Sequence, residues 1–84
     1  MNMYHIYILR SSKNGTYYIG QTYDITKRLM RHNSGQISST KRWMPYELIY
    51  REPYGTRSEV MKREKQIKSY KGGNAFNLLI QSKK

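Results

Sequence analysis

Apolar and aromatic residues in this chain come in short runs separated by turn-forming clusters. The first run, Met3 to Leu9, is rich in Tyr and Ile and predicts a strand. Lys13-Asn14-Gly15 then carries a strong turn signal, and Thr16 to Gln21 returns as a second strand, so the two predict a β-hairpin. Asp24 follows as an N-cap, Ile25 and Leu29 share one stripe at i, i+4, and Gly35 is a stop signal. Those marks predict a short helix over Ile25 to Asn33. Gln36 to Pro45 is polar, basic and irregular, and Tyr46 to Arg51 resumes strand chemistry until Pro53-Tyr54-Gly55 breaks it.

Thr56-Arg57-Ser58-Glu59 has the capping-box pattern, with Glu59 placed to reach back to the amide of the cap. Val60, Met61 and Ile67 form the apolar stripe of the helix that follows, and Gly72-Gly73 ends it. Asn74 caps a last short helix carrying Ala75, Leu78, Leu79 and Ile80. The fold expected from this order is α/β of the α+β type. It is a small three-stranded antiparallel sheet flanked by helices, β-β-α-β-α-α, with residues 1–84 forming a single domain.

Size sharpens the picture. Eighty-four residues stand near the low end of what folds without staples, and the absence of cysteine removes disulfides and thiolate metal sites as sources of stability. A core built from an apolar fraction of only 37% must suffice, and nine tyrosines with Trp43 and Phe76 supply much of its area. No segment has the length or apolarity of a bilayer span, and the N-terminus lacks the form of a signal peptide. The expectation is a soluble, cytoplasmic protein with no membrane partner.

Charge points to a partner. Sixteen Lys and Arg against five Asp and Glu leave +11, spread through helices, strands and loops rather than along one amphipathic helix. Such a field favours phosphate backbones over anionic membrane surfaces. The competing reading is a merely solvated basic surface.

Three polar features do not fit a plain core. Tyr7 and Tyr18 flank the hairpin turn, and phenols are costly to bury unless each hydroxyl finds a partner. Arg28 and His32, at i, i+4, share a helix face about 60° from the Ile25–Leu29 stripe. A guanidinium there can grip a phosphate and an imidazole can donate a hydrogen bond or move a proton, or both can be a solvated helix edge. Glu64 lies about 40° from Val60 and about 60° from Ile67, inside the apolar arc. It is an edge residue that snorkels out, a salt-bridge partner, or a functional anion. Magnesium commonly takes one or two protein carboxylates and completes its octahedron with water and substrate phosphate, so one glutamate facing a basic groove is enough.

Taken together, these residues resemble a GIY-YIG endonuclease domain, of the small stand-alone kind similar to the N-terminal nuclease domain of the excision-repair endonuclease. The first signature stands as His5-Ile6-Tyr7 and the second as Tyr18-Ile19-Gly20; Asp24 to His32 carries the arginine and histidine, and Arg63 to Lys68 the glutamate helix. The likeness runs from about Tyr4 to Ile80. It implies one-metal hydrolysis of phosphodiester bonds, with Mg²⁺ or Mn²⁺ held by Glu64. Tyr7 would act as general base, its phenol made more acidic by nearby positive charge, unless His32 shares that role. Arg28 would stabilise charge on the phosphorane, and Tyr18 and His32 would orient water or phosphate. Gly20 would permit a close approach of backbone, and Asn77, with Asn74 as competitor, would match a late supporting asparagine. His5 departs from the glycine that opens the family signature and reads as a strand-surface residue.

Lys41, Arg42 and Trp43 in the irregular loop combine cations with an aromatic ring, which suits phosphate neutralisation and base stacking, although Trp43 better suits a core or loop anchor. Lys27, Arg31 and Lys68 extend the groove or keep the surface solvated. No separate recognition module is present, so recognition by shape or by a partner protein is expected. The resulting expectation is a metal-dependent endonuclease acting on DNA, with branched, damaged or single-stranded forms as candidate substrates. Its rival is a non-catalytic basic nucleic-acid-binding module that retains the fold.

Overall fold

The computed structural model describes residues 3–82. Three strands, β1 (Tyr4–Ser11), β2 (Tyr17–Thr22) and β3 (Tyr46–Tyr54), form one antiparallel sheet in the order β2-β1-β3. Helix α1 (Ile25–Asn33) connects β2 toward β3, and α2 (Arg57–Ser69) and α3 (Asn74–Ser82) follow β3. The order is the expected β-β-α-β-α-α.

β1 is the central strand, and side chains alternate between faces along it. Ile6 and Ile8 face one way, into a core with Tyr50, Val60, Ile67 and Phe76 from β3, α2 and α3. Tyr7 and Leu9 face the other way, packing with Tyr46, Ile25, Leu29 and Trp43. A strand buried on both faces needs an unbroken apolar run, which is why Ile6-Tyr7-Ile8-Leu9 shows no hydrophobic-polar alternation.

Local signals act as expected at several points. Gly15 adopts φ +77 at the hairpin turn, where a left-handed residue is needed, and Asn14 Oδ1 accepts from the Thr16 amide at 3.1 Å. Asp24 caps α1 by accepting from the Lys27 amide at 3.0 Å. Thr56 caps α2 by accepting from the Glu59 amide at 3.2 Å, but the Glu59 carboxylate accepts from the Thr56 hydroxyl rather than from the cap amide.

Other boundaries differ. β3 runs on through Pro53 to Tyr54, because it is an edge strand and a proline there removes no ladder hydrogen bond from a central partner. α2 stops at Ser69, before the glycine pair, with Lys71 and Gly72 both at positive φ. Phe76, not Leu78, is the buried residue of α3, and Leu78 is 68% exposed. Met61 is 51% exposed while Val60 and Ile67 are fully buried, so the inward stripe of α2 is narrower than its sequence suggested. Ile67→Ala should therefore cost about 2–5 kcal/mol in urea unfolding, and Met61→Ala no more than about 0.5 kcal/mol. Equal losses at the two positions would show that this packing is wrong.

Candidate active site

Tyr7 stands at the centre of a polar cluster built from β1, β2 and α1. Its ring lies across Gly20, its cross-strand partner: a Cβ added at Gly20 would sit 2.7 Å from Tyr7 Oη and 2.8 Å from Cζ. The close approach that a glycine permits here is therefore that of the protein's own phenol. Gly20→Ala should push the ring off its seat, lowering stability by about 1–3 kcal/mol as other overpacked cores do. The accompanying loss of the Tyr7–His32 contact is readable from the His32 ring nitrogen shifts. An unchanged His32 spectrum in that variant would refute the steric argument.

The Tyr7 hydroxyl is fully engaged. Its Oη lies 2.9 Å from His32 Nε2 and accepts from Arg28 Nε at 3.3 Å. His32, expected at the boundary of its helix stripe, is in fact the one buried residue of α1. Its ring packs edge-on against Tyr18 at 4.8 Å and against Tyr7 at 5.8 Å. The other ring nitrogen, Nδ1, is 2.7 Å from the hydroxyl of Thr40, which is also buried. Sequence reasoning missed Thr40, which sits in a polar run with neighbours of the same kind; only the demand of a buried imidazole for a second partner singles it out. One proton arrangement satisfies the whole chain. Tyr7 donates to Nε2, Nδ1 donates to Thr40, and Thr40 donates to the Ile37 carbonyl at 3.4 Å.

Environment sets the charge states. Burial pushes the Tyr7 phenol above its ordinary range, and the hydrogen bond from Arg28 only partly offsets this. The expectation of a more acidic phenol is thus corrected: desolvation outweighs the nearby cation. Burial, followed by the charges of Arg28 and Arg31, pulls His32 down to about 4, so its imidazole is neutral at physiological pH. The hydrogen bond to Tyr7 holds Arg28 firmly charged.

Glu64 reaches the same place from α2, on the opposite face of the sheet, across the free edge of β2. Tyr7, Tyr18, Gly20, Gln21, Arg28 and Glu64 line one open cavity of about 470 Å³, together with Tyr4, Thr22, Tyr23 and Arg57. Gln21 Nε2 donates to Glu64 Oε1 at 2.9 Å, and Lys68 Nζ is 2.9 Å from Oε2. Among the described residues no group of three or more His, Cys, Asp or Glu could hold a metal ion. A cation at Glu64 would therefore draw most of its coordination from water and substrate, as magnesium does. The donors fit: a carboxylate whose present partners are a cation and an amide, and an amide that offers its own oxygen if turned over.

The remaining expected residues are distributed as follows. Lys68 is drawn to Glu64 rather than to an independent groove. Lys27 and Arg31 lie along another face of α1, beside Met30, Ser34 and Gln36, outside this cavity. Lys41 and Arg42 are exposed on a single 3-10 turn, Lys41–Trp43. Trp43 is a core anchor: it packs on the Tyr7–Leu9–Tyr46 cluster, with Arg42 5.8 Å over its ring. Asn77 and Asn74 are exposed on α3 and neither lines the cavity. His5 is half-buried, with Nδ1 buried and without a hydrogen-bond partner.

A second carboxylate, Glu52, is wholly consumed by structure. It accepts from Arg63 Nε and Nη2 at 2.9 Å each, from Tyr54 Oη at 2.7 Å and from Tyr50 Oη. Burial alone would raise it, but Arg63 and the two phenols hold it down at about 2.

Comparison with known proteins gives this domain its class, that of a nuclease family. The chain belongs to the GIY-YIG family: the model of the GIY-YIG catalytic domain matches residues 3–77. It is 39% identical over 80 residues to a UPF0213 protein of Staphylococcus saprophyticus, covering 94% of this chain and 96% of that one. It is 41% identical over 71 residues to a UPF0213 protein of Staphylococcus aureus, covering 83% and 85% of the two chains. The solution structure of the UPF0213 protein BH0048 from Bacillus halodurans aligns over the whole of both chains with a TM-score of 0.48 at 29% identity.

Proposed function

We propose that the protein is a metal-dependent endonuclease that hydrolyses phosphodiester bonds of DNA through a one-metal mechanism. It would act as a single nuclease domain in the cytoplasm, with its target chosen by shape or by a partner protein. The observation that carries this reading is the assembly of Tyr7, Tyr18, Arg28 and Glu64 around one cavity in a strongly basic chain. Glu64 is the residue that would hold Mg²⁺ or Mn²⁺, which when bound neutralises charge on the phosphate and on the departing oxygen.

The chain's own residues do the rest. In the minor form in which Tyr7 has given its proton to solvent, the phenolate takes a proton from the attacking water as that water adds to phosphorus. The bond to the bridging oxygen breaks, that oxygen leaving as an alkoxide that solvent protonates. Arg28, already bonded to Tyr7, faces the cavity where negative charge grows on the phosphoryl oxygens. His32 fixes the Tyr7 hydroxyl through its Nε2, and Thr40 fixes His32. Tyr18 packs on His32 and lines the cavity, where its own hydroxyl orients water or phosphate.

The test is incubation of plasmid and branched DNA with the protein in Mg²⁺ or Mn²⁺, beside the same mixture in EDTA. Cleavage that requires the metal is the expected result. Binding without metal-dependent cleavage on any substrate would replace the enzyme with a non-catalytic DNA-binding module.

A further inference from the structure

The ring best placed to meet a base is not Trp43, which the core has taken, but Tyr23. It follows β2 directly, is 52% exposed, and lines the cavity that holds Tyr7, Arg28 and Glu64. Its ring does not hang free. Tyr4 packs against it with centroids 4.8 Å apart and planes 56° apart, and Tyr4 is in turn packed on the core of Ile6, Ile8 and Val60. The backbone on either side is pinned: the Asp24 amide donates to Thr22 Oγ1 at 3.2 Å, and Thr22 Oγ1 donates to the Asp24 carbonyl at 3.3 Å. A half-exposed phenol with a fixed backbone and a buttressed ring loses little freedom when something stacks on it.

What stacks there is indicated by the company the ring keeps. Arg57, from the start of α2, lines the same cavity and adds a cation to it. Aromatic faces flanked by cations are how proteins hold single-stranded nucleic acid: cations follow the phosphates, rings take the bases. A base inside a duplex has both faces covered by its neighbours and cannot use such a ring. We propose that Tyr23, buttressed by Tyr4 and sharing its cavity with Arg57, is a stacking subsite for an unpaired nucleobase beside the phosphate held at Arg28 and Glu64. The preferred substrate class is then nucleic acid with an unpaired nucleotide at the cut, rather than continuous duplex. This rests on the endonuclease reading for its placement of the phosphate, but its test does not need turnover.

Binding is measured in EDTA by fluorescence anisotropy, with a labelled oligothymidylate, an abasic strand of the same length, and a duplex of the same length. Wild type should bind the oligothymidylate more tightly than the abasic strand. Tyr23→Ala should bind the oligothymidylate about tenfold more weakly, the size of one lost base stack. It should lose the discrimination against the abasic strand and leave duplex binding unchanged, while Tyr23→Trp keeps all three affinities. Wild-type protein that does not distinguish the thymidylate from the abasic strand would overturn the subsite without any variant. So would a Tyr23→Ala protein that binds every probe as wild type does, or loses all three equally. If no DNA is cleaved in metal but the Tyr23-dependent preference persists, the endonuclease reading falls and the subsite stands.

Discussion

Glu64→Gln should abolish metal-dependent cleavage, by at least about a thousandfold, the upper range for losing one charge-stabilising group at a reacting phosphate. The substitution keeps the size of the side chain and an oxygen for Gln21 to donate to, and removes only the charge. Stability should survive it. The one ion pair lost is with Lys68, an i, i+4 neighbour that is 56% exposed, and such surface pairs contribute well under about 1 kcal/mol. DNA binding should hold or tighten, since a positive chain becomes one charge more positive. Titration with Mn²⁺, followed by calorimetry, should show the metal affinity falling in parallel with cleavage. A Glu64→Gln protein that cleaves within tenfold of wild type would remove Glu64 from the chemistry. One that loses DNA binding together with cleavage would mean that the residue supports the groove and not the metal.

The reach of the sequence depended on how local each signal was. The hairpin turn, the Asp24 cap and the Thr56 cap each rest on groups within a few residues of one another, so composition and spacing reveal them. The burial of His32 rests on partners 25 and 8 residues away, Tyr7 and Thr40, and no helical periodicity contains that information. Glu64 is similar: its place inside the apolar arc marks it as anomalous, yet its neighbour Gln21 is 43 residues distant, beyond any local pattern. Pro53's own chemistry marks a strand break, whereas its tolerance depends on β3 being an edge, which is a property of the sheet. Trp43 and Tyr23 follow the same rule: Trp43 packs on the core while the half-exposed Tyr23 lines the cavity. Which aromatic is sacrificed to the core, and which is left at a cavity mouth, is decided by the packing of the two sheet faces.

The second large effect concerns pH, and it separates the two candidates for the base. Tyr7 lies above its ordinary range and His32 at about 4, so near neutrality the pair is phenol and neutral imidazole. If the phenolate of Tyr7 takes the proton from water, the active form is a minor species whose population grows tenfold with each pH unit. The rate of cleavage at saturating metal should then climb with unit slope from about pH 6 to 9, close to a thousandfold in all, with no plateau below about pH 10. If His32 were the final acceptor, its neutral form would be fully present above about pH 5, and the rate would be flat across the same range. Burial opposes the charged form of both groups: Arg28 and Arg31 add to it at His32, whereas the hydrogen bond from Arg28 partly offsets it at Tyr7, and the pH profile decides between them. A fluorotyrosine at position 7, with its more acidic phenol, should move the rising limb to lower pH. Exchange of Mg²⁺ for Mn²⁺ should leave the limb where it is. A level profile from pH 5 to 9 would transfer the proton to His32 and leave Tyr7 as its relay. A limb that follows the metal and ignores the fluorotyrosine would take the base role away from both.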